Sequence, residues 1–145
     1  MKEPAPGRSA YRLFRPITTR WSDNDAYGHI NNVRYYAFFD TAVNGWLVEQ
    51  GFLDIHAGEA INLVVETRCR YFAPLAFPAP LEAGLAVSRL GTSSVTYEIG
   101  VFGEGAGTAA AAGSFTHVHV GRDDRRPQPL PAGMRAALGE LVRPG

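Results

Sequence analysis

The segment from Val33 to Leu47 is almost wholly apolar, and it limits the possible folds of this chain more than any other stretch. Its spacing predicts a helix from about Val33 to Gln50, ending before Gly51. Tyr35, Phe39, Ala42, Val43, Trp46 and Leu47 share one helical stripe. Tyr36, Ala37 and Phe38 widen it until only Arg34, Asp40, Asn44 and the last turn stay polar. A helix that is apolar nearly all round is a buried helix, so other elements must wrap it. Asp40 then needs a structural hydrogen-bond partner.

The rest of the chain offers strands for that wrapping. A short first strand is expected within Tyr11 to Thr19, near a sheet edge because Pro16 has no N–H for a ladder bond. Ala60 to Phe72 alternates, with Ile61, Leu63, Val65, Thr67, Cys69 and Tyr71 assigned to one face. Leu81 to Leu90 is a strand with Leu85 and Val87 on one face. Gly91-Thr92-Ser93 turns the chain into Ser94 to Phe102, where Val95, Tyr97, Ile99 and Val101 alternate. After a turn at Gly103 to Gly107, Thr108 to Val120 is the last strand. Arg122 to Pro131 reads as a linker, and Ala132 to Val142 as a short, weakly amphipathic helix. Met1 to Ser9 reads as a ragged start. The expected class is α+β, an antiparallel sheet wrapped around a buried central helix. One domain spans residues 1–145, with its core at about 11–120 and a linker and short helix at 121–145. Such a sheet leaves an edge strand suited to pairing with a second subunit.

Composition narrows the function classes. The formal net charge is zero, which gives no reason to expect a nucleic-acid partner. The arginines of the C-terminal third (Arg122, Arg125, Arg126, Arg135, Arg143) read as a solvated tail, with a phosphate contact as the alternative. Cys69 is the single cysteine, so no internal disulfide forms, which suits a reducing compartment. The N-terminus lacks the apolar core of a signal peptide, and no stretch approaches a membrane span. A cytoplasmic protein without membrane contact is the expectation.

Polar chemistry is concentrated just before the apolar helix. Residues Asp23 to Tyr36 read DNDAYGHINNVRYY. Asn31 or Asn32 is the N-cap candidate. Free N–H groups and a positive dipole end lie at such a helix start, and a carboxylate facing it can act on a polarised carbonyl. Gly28 suits a positive φ or a close approach of substrate. Asp23 has the turn-holding role common for Asp, with a second catalytic carboxylate as the alternative. No G-x-S-x-G elbow is present, and Cys69 lies mid-strand without an activating neighbour in sequence, so a nucleophile triad has little support. A metal held by His29, Asp23, Asp25 and His117 or His119 is disfavoured by the absence of H-E-x-x-H or paired-Cys spacing. No metal and no cofactor are expected.

This run resembles the hotdog-fold acyl-CoA thioesterases, and most closely the 4-hydroxybenzoyl-CoA thioesterase-like family. That family shows Asp-x-Asp-x-x-Gly-His-x-Asn-Asn-x-x-Tyr or near variants. Here the pattern stands in register as Asp23, Asp25, Gly28, His29, Asn31, Asn32 and Tyr35. The resemblance implies an acyl-CoA thioesterase in which Asp25 is the catalytic carboxylate and the backbone N–H near Asn32 binds the thioester carbonyl oxygen. It also implies a homodimer or homotetramer whose sites are built from both subunits. Asp23, Gly28, His29, Asn31, Tyr35 and Tyr36 are then the expected substrate-binding residues. Tyr36, Phe39, Trp46 and Phe72 are candidate walls of the acyl pocket. Arg68, Arg70, Arg89, Arg122 and Arg125 are nominees for the CoA phosphates, and Ser93 and Ser94 for the pantetheine. Phe77-Pro78-Ala79-Pro80 departs from the Gly-Asp pair of many relatives. The rival readings are an acyl carrier protein thioesterase and a non-catalytic acyl-CoA binding module on the same fold.

Overall fold

A computed structural model describes residues 4–143. Met1 to Glu3, part of the ragged start expected above, fall outside the described residues. Five strands form one antiparallel sheet: β1 (Leu13–Ile17), β2 (Ala60–Tyr71), β3 (Leu81–Leu90), β4 (Ser94–Gly103) and β5 (Ala111–Gly121). Their order across the sheet is β1-β3-β4-β5-β2. The helices are α1 (Arg34–Glu49) and α2 (Ala132–Gly139).

The alternation read along β3 and β4 sorts side chains between two clusters. Leu81, Ala83, Leu85 and Val87 on β3, with Val95, Tyr97, Ile99 and Val101 on β4, pack with Phe39, Val43 and Leu47 of α1. On the other face a smaller cluster joins Tyr11, Ala86, Phe102 and Ala109. The sheet thus presents its large apolar face to α1, giving the α+β arrangement expected.

Three expectations change on contact with the tertiary structure. First, α1 is not buried all round. Tyr35, Phe38, Phe39, Ala42, Val43, Trp46 and Leu47 are buried, while Ala37, Asp40, Thr41 and Val48 are exposed and Tyr36 keeps 36% of its surface open. The sheet covers one side only, and the opposite side, mixed in polarity, faces outward. Second, β2 does not keep one face throughout. Val64 lies opposite His117 and Glu66 opposite Thr116, which leaves Val65 as an extra residue in a bulge. The bulge reverses the alternation, so Ile61 and Leu63 lie on the opposite face from Thr67, Cys69 and Tyr71.

Third, the C-terminal third is bound in, not trailing. Leu130, Met134, Leu138 and Leu141 belong to the main core. Arg122 donates to the carbonyls of Asp54, Ile55 and Gly58, and so ties down the loop after α1. Arg135 donates to the carbonyls of Gly91 and Thr92, while Arg143 pairs with Glu98 at 2.9 Å. These cations satisfy orphan carbonyls and a carboxylate, which replaces the solvated-tail reading for them. The segment at Pro6 is likewise attached, because the Ala109 N–H donates to the Pro6 carbonyl at 2.8 Å.

Candidate active site

The loop before α1 is a closed polar device. A 3-10 turn at Trp21–Asp23 opens it, and the Asp23 backbone N–H donates to the Arg20 carbonyl. Asp23 is buried at 1% exposure. Its Oδ2 accepts the Arg20 N–H at 2.8 Å, and its Oδ1 accepts from Arg20 Nη2 at 3.1 Å and lies 3.6 Å from Arg34 Nε. Two guanidinium groups and an amide offset the cost of burying that charge. Asp23 therefore holds the loop against the first turn of α1, with both oxygens engaged.

Asp25 has a different setting two residues on. It is half-buried, and Asn24 bridges Ile30 while the Asp25 N–H donates to the His29 carbonyl at 2.8 Å. The segment is thus a miniature hairpin. The Gly28 N–H closes its turn on the Asp25 carbonyl at 3.1 Å, and Gly28 itself has φ 81°. No atom lies within 4 Å of a Cβ built there, so the left-handed backbone is what calls for glycine. The Asp25 Oδ1 accepts N–H groups of Tyr27 at 2.8 Å and His29 at 3.4 Å. Its Oδ2 has no partner among the described residues. Two amides fix the carboxylate's rotation and leave one oxygen open.

The helix start is equally ordered. The Asn31 N–H donates to the Asp23 carbonyl, the Arg34 N–H to the Asn31 carbonyl and the Tyr35 N–H to the Asn32 carbonyl. The Val33 N–H donates to Asn31 Oδ1 at 3.1 Å. Val33 occupies the N-cap position, and Asn31 supplies the capping side chain from two residues back. From Asn31 to Tyr35, one backbone N–H has no partner among the described residues, that of exposed Asn32. The Asn32 side chain makes no hydrogen bond there, so capping falls to Asn31 alone. At the same place the Tyr71 hydroxyl, arriving from the end of β2, donates to the Asn32 carbonyl at 3.0 Å.

The remaining expected site residues divide. His29 is exposed with its ring free of protein partners among the described residues. Tyr35 is core, edge-on to Phe38 and Tyr71 at centroid distances of 5.8 and 5.1 Å, and burial pushes its phenol up to about 12. Tyr36 is half-open and meets Phe39 edge-on. Phe39 and Trp46 are interior packing, which removes them as pocket walls. Asp40 receives the Asn44 amide at 2.9 Å within the helix. Arg68 Nε donates to Ser114 Oγ and Arg122 is committed to loop carbonyls, while the other phosphate nominees, Arg70, Arg89 and Arg125, are exposed.

Other chemistries have little to work with. Burial pushes the Cys69 thiol up to about 11, unsuited to a thiolate nucleophile. His117 is buried edge-on to Tyr97 and Phe115, and His119 Nδ1 pairs with Asn62 Oδ1 at 2.9 Å, so neither joins His29. Among the described residues no group of three or more His, Cys, Asp or Glu side chains is placed to hold a metal ion. No described helix is long and apolar enough to cross a membrane.

Sequence reasoning passed over two residues. Asn24 exchanges side-chain hydrogen bonds with the backbone of Phe77, at 3.0 and 3.4 Å, and the Ile30 N–H donates to the Leu75 carbonyl at 2.7 Å. The proline-rich segment after β2 is therefore the support on which the loop rests. Asn24 stands inside the motif run and was open to notice. Tyr71 carries no local signal of its contact with the helix start.

Known proteins agree with this architecture. The crystal structure of the PA5185 protein from Pseudomonas aeruginosa superposes with a TM-score of 0.94 at 57% identity, covering 97% of this chain and 98% of that one. PA2801 of the same organism, a candidate thioesterase, gives 0.79 at 28% identity over 89% of this chain and 98% of its own. Slr0204 of Synechocystis, a 1,4-dihydroxy-2-naphthoyl-CoA thioesterase, shares the fold with a TM-score of 0.78 at 18% identity, over 90% and 98% of the two chains. No curated protein sequence matches the chain. The model of the thioesterase-like superfamily matches residues 19–138. That span runs from the Asp loop to the end of α2, and the chain belongs to the thioesterase-like superfamily.

Proposed function

We propose that this protein is a cytoplasmic acyl-CoA thioesterase of the 4-hydroxybenzoyl-CoA thioesterase-like type. The observation that carries the reading is the backbone N–H of Asn32, without a partner among the described residues, next to a loop whose Asp25 carboxylate is pinned at one oxygen and open at the other. The Asn32 N–H binds the thioester carbonyl oxygen, where the α1 dipole favours the negative charge that develops. The open oxygen of Asp25 takes a proton from water as the water oxygen bonds to the carbonyl carbon. The oxyanion then collapses, the C–S bond breaks, and the CoA thiolate leaves with the proton that Asp25 had taken. Direct attack by Asp25 is the other route; it passes through an acyl–aspartate anhydride that water cleaves.

A second copy completes the site. The β2 edge runs from Ala60 to Tyr71 and exposes Val64, Val65 and Tyr71, while α1 exposes Tyr36. Pairing there forms a homodimer, alone or within a homotetramer, that covers the uncovered face of α1. His29, Gly28 and Tyr36 are then in reach of substrate, and Asp23, Asn31 and Tyr35 hold the frame.

The test is thiol release from a panel of acyl-CoAs, aryl thioesters included, by wild type and Asp25→Asn. The asparagine keeps an oxygen for the Tyr27 and His29 amides and loses the charge. Turnover should fall by about 100-fold or more, with the fold and oligomer unchanged. No turnover by wild type on any CoA thioester would move the search to acyl carrier protein thioesters.

A further inference from the structure

We infer that Tyr71 is a positioning residue for the oxyanion donor, an inference that rests on the thioesterase reading. The peptide unit between Asn32 and Val33 is gripped at both ends by side chains. Its N–H donates to Asn31 Oδ1 at 3.1 Å, and its carbonyl accepts the Tyr71 hydroxyl at 3.0 Å. The Asn31 hold is local. The Tyr71 hold comes from the end of β2, across 39 residues of sequence. A peptide plane held at both ends is restrained against rotation about the Cα–C bond that joins it to Asn32. The neighbouring peptide, which carries the free Asn32 N–H, is held by the Arg34 N–H on its carbonyl at 2.9 Å.

Tyr71 is held from one side and open on the other. Its ring meets the Tyr35 ring edge-on at 5.1 Å, and Tyr35 is anchored in the core on α1. Its phenol is raised above the ordinary tyrosine range, chiefly by partial burial, so the hydroxyl is protonated at neutral pH and can donate. Its strand position lies opposite Ala111 of β5. The peptide next to the donor is thus referred to the sheet through Tyr71 as well as to the loop through Asn31. An oxyanion donor works only when its direction is fixed before reaction, and sub-ångström misplacement already weakens catalysis.

Tyr71→Phe removes one oxygen and keeps the ring stack. We expect kcat to fall about tenfold with KM within about twofold, because the lost aim is felt where charge develops. The melting temperature should stay within a few degrees. Amide NMR on uniformly labelled protein supplies a readout independent of turnover. The Asn32 and Val33 resonances should move in the variant while those of β3 and β4 stay. Unchanged kcat, or unmoved Asn32 and Val33 amides in a folded variant, would overturn the inference. A wild type with no activity on CoA thioesters would sink the thioesterase reading, and the amide shifts would still decide whether Tyr71 holds this peptide.

Discussion

The two edges of the sheet are built to opposite ends. The β1 edge is five residues long and carries Pro16 and Arg15 in its course, the Arg15 guanidinium gripping Glu49 of α1 at 2.7 and 3.0 Å. Short length, a missing N–H and bound charge are the features that discourage further pairing. The β2 edge is twelve residues long and exposes Val64 and Val65 at 46% and 60%. It also ends in Tyr71, the residue that touches the helix start. The edge that invites a partner is the edge tied to the chemistry. In the proposed dimer, assembly and active-site order are coupled through one strand, whereas β1 pairs with β3 inside the sheet and offers no such edge.

That contrast can be broken most forcefully at Val65. Lysine there places a charge at the bulge on the open edge. Val65→Lys should shift the protein from dimer to monomer by sedimentation and cost about 100-fold or more in thiol release, since the site is then incomplete.

Acid probes the same side of the sheet. His117 of β5 stands opposite Val64, buried with no partner for Nδ1, and desolvation lowers its pKa from 6.5 to about 4. The folded state thus keeps the imidazole neutral while the unfolded chain binds a proton below pH 6.5. Stability is intact above pH 6.5 and falls as pH drops from there to about 4, by up to about 3 kcal/mol. Urea titrations of wild type and His117→Phe across that range check this, and the variant should lose that part of the slope. The groups facing His117 are Tyr97 of β4 and Phe115 of its own strand, neither of which supplies a counter-charge.

The smallest effect belongs to the other edge. Pro16→Lys should leave the sedimentation profile and thiol release unchanged within about twofold, since Pro16 is exposed on a strand that takes no partner. A loss of dimer in this variant would mean that the edges had been assigned the wrong way round.

Much of this was legible along the chain. Alternation gave β3 its observed ends and β4 its ends within one residue, because each strand has a clean apolar face and short turns bound it. The α1 segment was placed within a residue at both ends by its apolar run and Gly51. The motif from Asp23 to Tyr35 pointed to the helix start and its carboxylate. What stayed hidden depends on neighbours. The bulge at Val65 arises from the count of residues on β5, which β2 alone does not reveal. The open side of α1 follows from how far one sheet can reach around a helix. Asp23 and Asp25 look alike in sequence, yet one is sealed by Arg20 and Arg34 and the other keeps an oxygen free.

The sequence by itself determined the elements, their order and the polar run ahead of the apolar helix, because those follow from local periodicity and turn chemistry. Only the tertiary structure decided which carboxylate oxygen is open, which N–H is left over and which strand reaches the helix start. Hydrogen-bond satisfaction is settled among groups distant in sequence, as the contact of Tyr71 with Asn32 shows.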